Sequence, residues 1–190
     1  MPRGRKVNSN GEKSKQLLRE KAIELFSTKG YYETKISDIV KAANVTQPTF
    51  YLYFDSKDSL FFDLNEQFQS NLFQLFEGIS IYDKNNFQNL IFNILQYFSE
   101  NPLLTKIGLY QSTEAYVVKE RLVRKFEYIL SQKNCSFLEY SDIHIASQCL
   151  IGSIERLTFT MLLTNKRSAN QLAEDIMSIY FNKSELLVHS

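Results

Sequence analysis

Apolar positions recur along this chain with a spacing of three and four rather than two, so the pattern predicts helices almost throughout. Leu18, Ala22, Leu25 and Phe26 fall at i, i+4, i+7 and i+8 and mark one face of a helix from about Glu12 to Lys29. Gly30 is placed to end it in a left-handed position. Ile36, Ile39, Val40 and Ala43 repeat at i, i+3, i+4 and i+7, a helix of about two turns that needs neighbours to be stable. Asn44, Val45 and Thr46 then read as a sharp turn: Asn tolerates a positive φ, Val45 supplies an apolar plug and Thr46 is a good N-cap. In the segment that follows, Pro48 takes the second helical position, where its missing N–H costs no intrahelical bond, and Phe50 and Phe54 share a face. Three short amphipathic helices, the last two joined by a tight turn, form a helix-turn-helix pattern.

The composition of the stripes changes near Asp55. Ser56 can cap a long helix from about Lys57 toward Phe76, with Leu60, Leu64, Phe68, Leu72, Leu75 and Phe76 on one stripe. A further helix is expected over 83–99, stopped before Pro102 because the residue preceding proline avoids helical angles. Others are expected at about 103–111, 115–132, 141–164 and 168–182. The expectation is an all-α chain of about nine helices: a basic arm at 1–11, a helix-turn-helix domain at 12–55 and a second helical domain at 56–190.

Composition supports this. Six Gly and three Pro in 190 residues fall below the roughly 12% of average usage, which argues against a turn-dense β sandwich or barrel. Hydrophobic content of 44% with 23% charged residues excludes wholesale disorder. No apolar run approaches a membrane span, and MPRGRKVNSNGEK lacks the apolar stretch of a signal peptide, so a soluble cytoplasmic protein with no membrane partner is expected. Cys135 and Cys149 stand apart from any C-x-x-C or histidine pair, so no metal is expected and both thiols are expected to be buried. His144 and His189 are the only histidines, and there is no P-loop, G-x-G-x-x-G or H-E-x-x-H, so no enzyme activity and no cofactor are expected. His144 reads as a core or interface residue. The net charge of +1 conceals an asymmetry: residues 1–60 hold 11 Lys/Arg against 7 Asp/Glu, and residues 61–190 hold 11 against 14. The basic end suits a polyanion.

The stretch from Thr34 to Leu60, TKISDIVKAANVTQPTFYLYFDSKDSL, resembles the DNA-binding region of the TetR family of bacterial transcriptional regulators. The likeness is carried by Thr34, Ile39, the pair Ala42 and Ala43, Val45 and Thr46, then Tyr51, Tyr53 and Phe54, and finally Ser56 with Lys57 and Asp58; Gly30 and Tyr31 suit the junction after the first helix. Three residues depart from the pattern. Asn44 stands where the turn usually has Gly, Lys35 where a Ser or Thr cap is common, and Pro48 where Gly is common, which removes a backbone N–H that could reach a phosphate.

Binding DNA requires cations and hydrogen-bond donors for phosphates and side chains at the exposed start of a groove-inserted helix to read bases. Gln47 is the best base reader, because an amide can bind adenine bidentately, and the Thr49 methyl can touch a thymine methyl. The resemblance implies phosphate contacts from Tyr51, Tyr53 and Lys57, with Lys35 and Ser37 at the start of the second helix; Thr46 and Pro48 complete the set. The opposing reading makes Tyr51 and Tyr53 packing residues and Lys57 a solvated lysine. Arg3, Arg5 and Lys6 form a flexible arm that can reach a minor groove or is simply a polar terminus.

A short recognition helix touches few base pairs, so specificity calls for two copies on a palindrome and hence a homodimer. The expected interface is a four-helix bundle using Ile143, Ala146, Leu150, Ile154, Leu157 and Met161 from one helix and Leu172, Ile176, Ile179 and Tyr180 from the next; the other reading points these stripes at their own core. The resemblance also implies a small-molecule effector, with 56–190 as the ligand-binding and dimerisation domain. Phe68, Phe92, Tyr97, Tyr110, Tyr116, Phe126 and Tyr128 are candidates for an apolar or aromatic pocket, with Glu114, Glu155 or Arg156 setting charge preference, although aromatic stripes at helical spacing are more often core. The function expected is a repressor of DNA transcription released by such a ligand. The alternatives are a DNA-bound protein-interaction regulator without an inducer, and a helical enzyme carrying an incidental helix-turn-helix.

Overall fold

The computed structural model describes residues 9–79, 81, 83–132 and 142–181. The arm residues Arg3, Arg5 and Lys6, together with Cys135 and His189, lie outside them. Among the described residues the chain is all-helical: α1 (Ser9–Lys29), α2 (Ile36–Ala42), α3 (Gln47–Tyr51), α4 (Lys57–Gln74), α5 (Lys84–Glu100), α6 (Pro102–Lys106), α7 (Ala115–Leu130), α8 (Ile143–Leu157) and α9 (Ala169–Phe181). Helix α6 runs into a π turn at Ile107–Gln111 and α8 into another at Thr158–Leu162.

The chain divides into two compact units, residues 1–68 and 69–190. The division falls inside α4, later than the change of composition at Asp55, because the first turns of α4 belong to the core of the first unit. Leu60 and Leu64 are fully buried there with Leu18, Ala22, Phe26, Ile39 and Phe50, and Arg19 grips Asp63 with two hydrogen bonds of 2.7 and 2.8 Å.

Local chemistry explains the short elements of this unit. Gly30 at φ 90° ends α1 and Asn44 at φ 52° makes the turn between α2 and α3, both in the left-handed region that Gly and Asn occupy most cheaply. The Thr46 hydroxyl caps α3 by accepting from the Thr49 N–H at 3.4 Å, and Pro48 sits in the first turn of α3. Ser56 caps α4, accepting from the Ser59 N–H at 3.0 Å while the Ser59 hydroxyl accepts from the Ser56 N–H at 3.0 Å. Buried Thr34 donates to the Gly30 carbonyl at 2.7 Å, tying the loop before α2 to the end of α1.

In the second unit α5 packs along α9 and α7 along α8. Phe87, Phe126 and Phe76 stack edge to face at 5.7 Å in its core. The two π turns meet through Tyr110 and Phe159, whose rings lie 5.1 Å apart. The stripes expected to face a second copy are divided by the packing. Leu150, Ile154, Leu172 and Ile176 expose 2% of their surface or less within this one chain, so they are core residues with no surface to offer a partner. Ile143, Ala146, Leu157, Met161 and Tyr180 are partly exposed. The open apolar stripe of α8 is rotated from the expected one and runs through Ile145, Cys149 and Gly152, with Phe159 in the π turn that follows, and Ile179 is exposed on α9. Cys149 is therefore exposed rather than buried. His144 is also exposed, with its Nδ1 on the Glu127 carboxylate.

Candidate nucleic-acid interface

Helix α3 is a single turn and a half held from behind. Phe50 is fully buried, with its ring centroid 5.5 Å from Tyr51 and 5.7 Å from Phe54. With that anchor inside, the residues around it point out: Thr46, Gln47, Pro48, Tyr51 and Leu52 are exposed, and Thr49 is partly so. Gln47 and Tyr51 lie four apart on one side, and Pro48 and Leu52 four apart beside them, so the protruding surface pairs a polar edge with an apolar one. Leu52 is 76% exposed. Sequence reasoning passes it over because its spacing places it neither on the buried stripe nor among the polar groups; its exposure beside Pro48 is the signal.

The hydroxyls of Thr46 and Thr49 are 2.9 Å apart and share a hydrogen bond, which fixes the N-terminal turn of α3. Tyr53 is half-buried, and a Cβ at Gly11 of α1 would sit 3.2 Å from its phenol oxygen, so that hydroxyl rests close against the first helix. Lys35 and Ser37 are exposed at the start of α2. Asp38 supports that end, accepting from the Lys35 N–H at 3.3 Å and from Lys29 Nζ at 2.9 Å. The hydrogen bond from Lys29, helped by the one from the Lys35 backbone, holds the Asp38 carboxyl below its ordinary range.

Lys57 is the residue whose role the geometry enlarges. Its ammonium donates to the carbonyls of Tyr31 at 2.8 Å and Thr34 at 2.9 Å and lies 4.3 Å from the centre of the Tyr31 ring. The Tyr31 hydroxyl in turn donates to Asp58. Lys57 thus ties the start of α4 to the loop before α2, and of its three N–H donors one is left for a phosphate.

The residues set out for a ligand pocket separate by burial. Phe68, the last residue of the first unit, and Phe126, in the second, are fully buried. Phe92, Tyr97 and Tyr110 are half-buried, and burial pushes the Tyr97 phenol up to about 12 and raises that of Tyr110 as well. Tyr110 donates to the Glu155 carbonyl at 2.7 Å, and Lys119 pairs with the Glu155 carboxylate at 2.6 Å. Tyr116 and Tyr128 are 71% and 68% exposed, so they stand on the surface of the unit and line no enclosed space in it. Among the other polar groups considered, Glu114 accepts from Gln69 at 3.0 Å and Arg156 is exposed.

Residues 18–64, which hold this whole reading head, match the family model of the bacterial regulatory proteins of the tetR family. The chain is 32% identical over 182 residues to the HTH-type transcriptional regulator YdgC of Bacillus subtilis, an alignment covering 91% of this chain and 93% of that one. This chain belongs to the TetR family. It is 33% identical over 86 residues to IcaR of Staphylococcus aureus, the negative regulator of the biofilm operon icaADBC, an alignment covering 45% of this chain and 44% of IcaR. The structure of a TetR-like regulator from Rhodococcus sp. RHA1 superposes with a TM-score of 0.76 over 96% of this chain and 97% of that one, at 17% identity, and so shares the fold. Like its relatives, this TetR-family protein is a helix-turn-helix transcriptional regulator and not an enzyme. No helix among the described residues is long and apolar enough to cross a membrane.

Proposed function

We propose that this TetR-family regulator is a homodimeric repressor whose two α3 helices enter successive major grooves of a palindromic operator and leave it when a small apolar or aromatic effector binds the second unit. The observation that carries the reading is the protruding face of α3, Gln47 and Tyr51 beside Pro48 and Leu52, mounted on the buried Phe50. A Gln amide at the start of a groove-inserted helix can take adenine by two hydrogen bonds, and an apolar edge beside it suits thymine methyls. Tyr51, Lys35, Ser37 and the remaining N–H of Lys57 supply phosphate contacts around it.

Pairing is supported by the stripe Ile145, Cys149, Gly152 and Ile179. A Cβ at Gly152 would meet nothing within 4 Å, which leaves room for close approach by a second backbone. Tyr180 locks α9 to this stripe, donating to the Cys149 carbonyl at 2.9 Å and accepting from the Ser153 hydroxyl at 2.6 Å. The effector is supported by half-buried Phe92, Tyr97 and Tyr110 and by two buried hydroxyls, Ser147 and Thr158, that lack a hydrogen-bond partner among the described residues. Such groups cost stability until something satisfies them.

The test is a gel-shift series on the operator with single base changes. Gln47→Ala should lose about 1–3 kcal/mol of discrimination at one symmetric base pair and keep its affinity for unrelated duplex. Unchanged preference at every position would remove Gln47 as the reader.

A further inference from the structure

The outward face of α7 carries a cluster that neither the core nor the reading head uses. Arg121, Arg124, Lys125 and Tyr128 fall at i, i+3, i+4 and i+7 and line one surface depression of about 430 Å³, within the size range of small-molecule sites. All four side chains are exposed. Three cations on one helical face repel one another, and like charges at these spacings destabilise a helix. No ion pair to Arg121, Arg124 or Lys125 occurs among the described residues. Of the nearest acidic side chains, Glu127 holds His144 and Glu114 accepts from Gln69, while Glu120, one turn before Arg124, makes no ion pair with it among the described residues.

One of the three cations is held in position. Arg121 donates to the Gln69 side-chain oxygen at 2.6 Å and lies 3.9 Å from the centre of the Phe73 ring, while the Gln69 amide donates to Glu114 at 3.0 Å. This chain orients the guanidinium without neutralising it at close range, because its partners are an amide oxygen and a ring face. The donors not used by Gln69 remain for a ligand, in the planar fork that fits carboxylate and phosphate oxygens. Tyr128 adds a flat apolar wall, and the methylene stems of the cations add more.

We propose that this α7 depression binds a small organic anion, a carboxylate or phosphate carried on a flat apolar body, with Arg121, Arg124 and Lys125 on the charge and Tyr128 against the body. The site lies wholly in the second unit and stands or falls independently of operator binding. The test follows backbone amide shifts of the full chain by NMR during titration with salicylate and with phenyl phosphate, using salicylamide and inorganic phosphate as controls. At least one of the two organic anions should shift the amides of residues 121–128 with saturation, and which one binds more tightly distinguishes carboxylate from phosphate as the charged group. Arg124→Gln with Lys125→Gln, both exposed and without a side-chain hydrogen bond or ion pair among the described residues, should weaken that binding about tenfold or more. Tyr128→Ala should weaken the organic anions and leave inorganic phosphate unchanged. The proposal is overturned if neither organic anion moves residues 121–128, if salicylamide binds equally well, if inorganic phosphate matches both, or if the double substitution changes nothing.

Discussion

Replacing Lys57 by methionine keeps an unbranched side chain one atom shorter and removes its charge, which separates the two jobs this residue is given. In the structure its ammonium makes hydrogen bonds of 2.8 and 2.9 Å to the carbonyls of Tyr31 and Thr34. Hydrogen bonds to a charged group contribute about 1.5–3 kcal/mol each, and with Lys57 half-exposed water replaces part of that, so Lys57→Met should cost about 2–3 kcal/mol. In equilibrium urea unfolding followed by circular dichroism, that loss moves the midpoint of the first unit down by about 1 M. Lys41→Met, at an exposed position of α2, is the control and should stay within about 0.5 kcal/mol of the parent. DNA affinity should fall alike for all sequences, and the slope of log affinity against log salt should flatten by about 0.9 for each phosphate that the side chain no longer neutralises. If Lys57→Met unfolds at the same urea concentration as the parent, the tie between α4 and the loop before α2 contributes nothing and the residue serves DNA alone.

Other positions give independent checks. Asn44 holds φ 52° in the turn of the helix-turn-helix, so Asn44→Val should cost about 1–2 kcal/mol in thermal melts while Asn44→Gly stays near the parent. Pairing with Glu127 raises His144 above its ordinary value of 6.5. The stabilisation from this pair is therefore fully present below 6.5 and fades as pH rises through the higher folded value, and Glu127→Gln should abolish that part of the pH dependence of the melting temperature. Ile145→Glu places a charge on the exposed stripe of α8; sedimentation should show monomers with an unchanged helical spectrum, and a persisting dimer would move the interface elsewhere.

How much of this is legible in the sequence depends on whether one residue or a whole surface decides the outcome. Gly30, Asn44, Thr46 and Ser56 act through their own backbone angles or one local hydrogen bond, and their positions mark the ends of α1 to α4 correctly. Pro102 likewise stands at the start of α6, with α5 ending at Glu100. The exposed face of α8 is not legible. Its stripe of Leu150 and Ile154 is apolar enough to suit either a core or a partner, and only packing against neighbouring helices assigns it to the core, turning Ile145, Cys149 and Gly152 outward. The two π turns escape for a similar reason: a single-turn change of hydrogen-bond register leaves no mark on a 3.6-residue pattern. Lys57 reads from the sequence as a cation near the reading head, but its bonds to Tyr31 and Thr34 join residues 26 and 23 positions away, which no periodicity reports.

The most direct test of operator recognition by a dimer is selection of bound duplexes from a random pool by the full chain. A symmetric inverted repeat should emerge, with half-site centres about 34–36 Å or a multiple of it apart and two protomers per duplex. Recovery of a single unsymmetrical site, or no enrichment over non-specific duplex at low salt, would contradict it.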